Sequence, residues 1–88
     1  LYVLRKTYKE ERMTFMRPVD VQRKMKVSRT HLYELIKQGL FPRPVKPFKK
    51  MSLWNEAEVD RIMEAIYKRM DKEKIKELVS QIEQLRSN

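Results

Sequence analysis

Apolar residues along this chain recur at helical spacing in four places, and residues that end helices stand between them. Leu32, Leu35 and Ile36 take the i, i+3, i+4 positions of one face, leaving Thr30, Tyr33, Glu34 and Lys37 opposite and Arg29 and His31 on the flanks. Ser28 in front can cap the first free amides, Gly39 behind is comfortable at positive φ, and Pro42 stops the helix from resuming. The pattern predicts a helix over 29–38, one face for a core and the other for a partner. Upstream, Pro18 suits a first helical position and Val21 and Met25 lie four apart, which predicts a helix over 18–25. Val27, in the turn between them, is small enough to seal two crossing helices. Helix, three-residue turn and helix make the arrangement of a helix-turn-helix DNA reader.

Three prolines keep the stretch FPRPVKPFKKMSLW, residues 41–54, out of any helix. Val45 and Phe48 before Lys49-Lys50, with Met51, Leu53 and Trp54 after, predict a short hairpin, or wing, with a basic tip. That tip lacks the Gly or Asn of a tight hairpin turn. Trp54 reads as a core plug rather than a stacking platform, because the next helix must pack back on the domain. Asn55 and Glu58 form a capping-box variant opening that helix, whose stripe is Val59, Ile62, Met63, Ile66 and Met70.

Asp71 is placed to cap a fourth helix running to about Leu85. Its residues Ile75, Leu78, Ile82 and Leu85 follow the 3-4-3 spacing of a coiled-coil seam. The two stripes are out of register, since positions 73 and 77, where the first would continue, are both glutamate. The second stripe is therefore expected to face something other than the core beneath the first. Self-association is preferred slightly over folding back. Thr14–Arg17 reads as a short extended lead-in, whereas residues 1–12 show no sustained period and read equally as strand, helix or arm. The predicted architecture is mainly α: an N-terminal arm over 1–12, a winged helix-turn-helix with a short β-hairpin wing over 13–70, and an extra C-terminal helix over 71–88 as candidate oligomerisation element.

Charge sharpens this picture. The 88 residues carry a net charge of +9, and residues 17–50 hold ten Lys or Arg against Asp20 and Glu34, a local +8. The flanking segments 1–16 and 51–88 carry +2 and −1. An excess gathered around the capped helix attracts a polyanion, through counterion release that is strongly salt-dependent. With no cysteine there is neither disulfide nor thiolate metal site, and the lone His31 makes no metal site. One histidine, no Gly-rich phosphate loop and no room for a pocket-sized core argue against an enzyme or a cofactor. The longest apolar run is Leu1–Leu4, so no membrane span is encoded in these residues, and a cytoplasmic, nucleoid-associated protein is expected.

Residues 15–66 resemble the AlpA family of small phage and mobile-element regulators, relatives of excisionases and of MerR-type winged helix-turn-helix domains. VSRTHLYELIKQGLFPRPVK, followed by LWNEAEVDRIM, carries the resemblance. Ser28, Arg29, Thr30, Tyr33, Gly39, Phe41, Pro42 and Trp54 match the family's positions. The wing departs from it, with Pro47-Phe48-Lys49-Lys50 where the family has a glycine or small-residue turn. The resemblance implies DNA binding that regulates an integrase gene or directs excision of an integrated element.

The expected mechanism inserts the 29–38 helix into the major groove. Arg29 would make a bidentate contact to guanine, with Thr30 and His31 reaching base edges. Ser28, Tyr33, Lys37, Arg43, Lys46, Lys49 and Lys50 are assigned to the DNA backbone, with packing on the wing as the alternative for Tyr33. Expected partners are double-stranded DNA, a second copy in a homodimer or higher assembly, and an integrase or recombinase. The competing reading is a protein-interaction adaptor whose C-terminal helix binds a recombinase or polymerase subunit, with incidental DNA contact.

Overall fold

Helices form where the sequence supplies end signals, and those ends are hydrogen-bonded. The computed structural model describes residues 13–86, with α1 at Pro18–Met25, α2 at Arg29–Lys37, α3 at Glu56–Tyr67 and α4 at Lys72–Arg86. The expectations for residues 1–12 lie outside the described residues. The Arg17 N–H donates to Asp20 Oδ2 at 2.9 Å, His31 N–H to Ser28 Oγ at 3.1 Å, Ala57 N–H to Asn55 Oδ1 at 3.0 Å and Lys74 N–H to Asp71 Oδ1 at 2.9 Å. Each such bond satisfies an amide with no intrahelical partner, worth typically about 1 kcal/mol. Glu58 does not complete the expected capping box, because its carboxylate is held by Arg86 at 2.8 and 3.3 Å.

The C-terminal ends share one geometry. After α2, Gly39 N–H donates to the Ile36 carbonyl at 3.0 Å and Leu40 N–H to Leu35 at 2.9 Å, with Gly39 at φ 79°. After α3 the same pair runs from Arg69 to Ile66 at 3.0 Å and from Met70 to Ala65 at 3.1 Å, with Arg69 at φ 61°. Lys26, also at φ 61°, turns the chain between α1 and α2. Two of these left-handed turns are thus built without the glycine that suits them.

Two short strands tie the N-terminal lead-in to the start of α3. β1 (Phe15–Met16) pairs antiparallel with β2 (Trp54–Asn55), matching Phe15 with Asn55 and Met16 with Trp54. The wing is slighter than the predicted hairpin. Its ladder is one rung, in which Val45 and Leu53 exchange N–H···O bonds of 2.8 and 2.9 Å. The tip closes through Met51 N–H to the Phe48 carbonyl at 3.1 Å, with Lys50 at φ 65° where a glycine would ordinarily stand. Pro44 and Pro47 have no N–H to offer, which limits the ladder beside Val45.

Trp54 is the centre of the core, fully buried, its Nε1–H donating to the Pro42 carbonyl at 2.8 Å and its ring tilted against Phe41 at 5.9 Å. Val21 and Leu32 are also fully buried in this cluster and join the two helices of the helix-turn-helix. On α3 the buried line is Val59, Ile62 and Ala65, with Met63 half-buried. Ile66 and Met70 are exposed instead of lining the core: the buried face steps by three, and Met70 lies beyond the helix end.

The larger correction concerns α4. Ile75, Val79 and Ile82 are buried in the core cluster with α1, α2 and α3, Leu78 is half-buried against it, and only Leu85 stays exposed. The left-handed turn at Arg69 ends α3 and redirects the chain, so α4 packs along α3 with its stripe pointing inward. The register mismatch that suggested an outward seam is absorbed by this change of direction. Ile75, Leu78 and Ile82 are consequently occupied within their own subunit, and α4 shares one core with the elements before it.

Candidate nucleic-acid interface

The capped start of α2 projects its polar residues outward. Ser28, Arg29, Thr30, His31 and Lys37 are all exposed, while Leu32 is fully buried and Leu35 and Ile36 are half-buried beneath them. The Ser28 hydroxyl oxygen accepts the His31 N–H, which leaves its own hydrogen available to donate. Arg29 lies over the Tyr33 ring, Cζ 5.6 Å from the centroid. Tyr33 is itself half-buried against the core, so it acts as a shelf beneath the guanidinium. A cation–π contact of this kind limits the rotamers that Arg29 explores and leaves its donor edge free to meet an acceptor.

The basic residues divide into two groups. Lys24 bridges α1 to α3, with Nζ 2.7 Å from both Glu56 and Asp60. Its pKa is raised by those hydrogen bonds, Asp60 contributing most and Glu56 next, against some desolvation. Arg43 is also held: its Nη2 lies 3.3 Å from Glu83 Oε1, and its N–H donates to Glu83 Oε2 at 2.8 Å. Burial pushes the Glu83 carboxyl up, but the bonds from Arg43, with the nearby Arg86 charge, outweigh it and hold the pKa below the usual carboxylate value. Among the described residues the other eight cations of the 17–50 segment, including Arg29, Lys37, Lys46, Lys49 and Lys50, have no ion-pair partner. Lys46, Lys49 and Lys50 are exposed on the wing, beside Phe48 at 69% exposure.

Composition had counted Lys24 and Arg43 with the free cations. Their acidic partners lie 32 to 40 residues away, beyond any local pattern. Glu83 and Arg86 were missed for the same reason: on α4 they look like an ordinary solvated face. Elsewhere an apolar groove of about 440 Å³ runs between Met13, Phe15, Val45 and Leu85, and of its charged lining residues Glu58 and Arg86 are paired with each other.

The fold around this surface is a helix-turn-helix followed by a one-rung wing and a covering helix. Residues 14–73, more than half of the chain, match the family described as prophage CP4-57 regulatory protein (AlpA). The chain belongs to the AlpA family. Its AlpA unit runs from β1 to the first turn of α4, so the remainder of α4 lies beyond the match. Within the match, Ser28-Arg29-Thr30 form the capped start of α2, and the turn from Gly39 to Pro42 seats Phe41 against Trp54. No curated protein and no solved structure matches the chain. No helix among the described residues of this AlpA chain is long and apolar enough to cross a membrane.

Proposed function

We propose that this AlpA-family chain is a sequence-specific double-stranded DNA-binding regulator of a prophage or integrated element, acting on an integrase gene or on excision itself. One observation carries the reading: the polar face at the capped start of α2 is exposed and cationic, with Arg29 braced on Tyr33. A helix of this width fits the major groove, with its N-terminal residues nearest the base edges. Arg29 reads a guanine through its paired donors, Thr30 and His31 read adjacent edges, and Ser28, Lys37, Lys46, Lys49 and Lys50 hold the backbone. Arg43 joins them with a largely exposed guanidinium, while its main-chain N–H is held by Glu83.

Tight binding by so small a reader calls for two copies on neighbouring half-sites, about 34–36 Å apart. Burial of Ile75 and Ile82 leaves the adaptor alternative the rest of α4, including the exposed Leu85, as its contact surface.

Footprinting on the protein's own element, followed by titration of the site and of random duplex, tests this function. Arg29→Ala is expected to lose about 1–3 kcal/mol on the site and to relax preference at one base pair. Lys49→Ala should weaken both duplexes alike, by about fivefold at 0.15 M salt if it closes one phosphate contact. Equal losses on site and random duplex for Arg29→Ala would remove its assigned role.

A further inference from the structure

The link from α2 to the wing is Phe41-Pro42-Arg43-Pro44-Val45. With prolines on both sides, Arg43 has the only main-chain N–H between Phe41 and Val45. That N–H donates to Glu83 Oε2 at 2.8 Å, and the carbonyl of the same residue accepts from Arg86 Nη1 at 2.6 Å. Two side chains from the last turns of α4 therefore hold both main-chain polar groups of one residue. The holders are themselves fixed. Ile82 seats α4 in the core at 1% exposure, and Glu58 of α3 binds Arg86 at 2.8 and 3.3 Å. Beyond this point a single rung, Val45 with Leu53, anchors the wing.

We propose that Glu83 and Arg86 clamp the root of the wing to α4, and thereby position the wing lysines against the phosphate backbone of a DNA duplex. The inference rests on the DNA-binding reading above and makes both groups positioning residues that touch no DNA. It gives the C-terminal helix a task in recognition. Both residues lie beyond the 14–73 match, so the clamp belongs to this chain rather than to the matched AlpA unit.

Electrostatics alone predicts the opposite sign. An acidic side chain beside a cationic surface repels phosphate, and its removal should tighten binding and free the Arg43 guanidinium for DNA. A clamp predicts weaker binding when Glu83 is lost. Glu83→Met and Glu83→Gln separate the two effects, since both abolish the charge at similar size and only Gln retains an acceptor for the Arg43 N–H.

Affinity for the footprinted site is measured across a salt series, well below the melting temperature of each variant. Glu83→Met is expected to bind about fivefold more weakly at 0.15 M salt, with the salt slope reduced by about one, as for one lost phosphate contact. Lys49→Ala should then add little in the Glu83→Met background, while Arg29→Ala keeps its full effect. Glu83→Gln should recover most of the loss. Leu78→Ala, which loosens α4 away from the clamp, should leave affinity unchanged. Equal or tighter binding by Glu83→Met, a Gln variant no better than Met, or an equal loss from Leu78→Ala overturns the clamp. A wild-type chain that prefers no duplex sinks the DNA reading and the clamp together, whereas preserved Arg29-dependent binding with a silent Glu83→Met sinks the clamp alone.

Discussion

Replacing Ile82 by alanine tests whether α4 is part of this subunit's core. Ile82 is 1% exposed and packs in the cluster that includes Trp54 and Ile62. Ile→Ala at a site of this kind typically costs about 2–5 kcal/mol, from lost transfer energy and the cavity left behind. Taking about 3 kcal/mol, and about 4–8 °C per kcal/mol for a domain of this size, the melting temperature should fall by roughly 12–24 °C. That is a large part of the total stability of a chain this short. Leu85→Ala on the same helix is the control: at 55% exposure it should stay within about 0.5 kcal/mol of wild type. Thermal and urea melts, run at two protein concentrations fiftyfold apart, give both the loss and its origin. Burial within one subunit makes the Ile82→Ala loss independent of concentration, whereas a seam between copies makes it shrink as protein is added. A loss under about 1 kcal/mol, or one that tracks concentration, would refute the placement of α4.

Three further outcomes follow from other parts of the structure. Arg69→Gly should stabilise the fold by about 1 kcal/mol in urea melts, because Arg69 holds φ 61° at the end of α3 and glycine adopts that conformation without a Cβ penalty. Glu83 should give stability an acid limb. Its folded pKa is depressed, so its contribution is complete above the unfolded value of about 4.3 and is lost as pH falls through the folded one. The stability difference between wild type and Glu83→Gln is therefore expected to be constant from pH 7 to about 5 and to close below about 4; a gap that widens towards acid would contradict the assigned contacts. Tyr33→Ala should weaken specific binding by removing the shelf under Arg29, an effect that vanishes in an Arg29→Ala background if the contact is the cause.

The parts of this protein legible in its sequence are those that neighbouring residues decide among themselves. Ser28, Asn55 and Asp71 cap the helices they precede and Gly39 closes α2, each through bonds spanning two to five residues, while Pro18 opens α1 by its fixed φ and its missing N–H. The outward face of α2 was readable too, because Leu32, Leu35 and Ile36 leave only one side for the core. The resemblance to the AlpA family was legible in local motifs as well, and the family match covers residues 14–73. The wing's glycine-free tip was noted, but neither its single rung nor the positive φ at Lys50 could be read from its residues.

What only the tertiary structure decided involves residues far apart in the chain. Heptad-like spacing on α4 says that one face is apolar, and is silent on whether that face meets its own subunit or another. A turn at Arg69 settles it, by changing the direction of the chain between two helices whose stripes do not share a register. In the same way charge counting cannot distinguish Lys49, which has no ion-pair partner among the described residues, from Arg43, which is taken by a carboxylate forty residues later. Periodicity, caps and breakers act within a few residues and are written in the order of the chain. Pairing and docking depend on which surfaces meet in space, and that is decided when the whole core closes around Trp54.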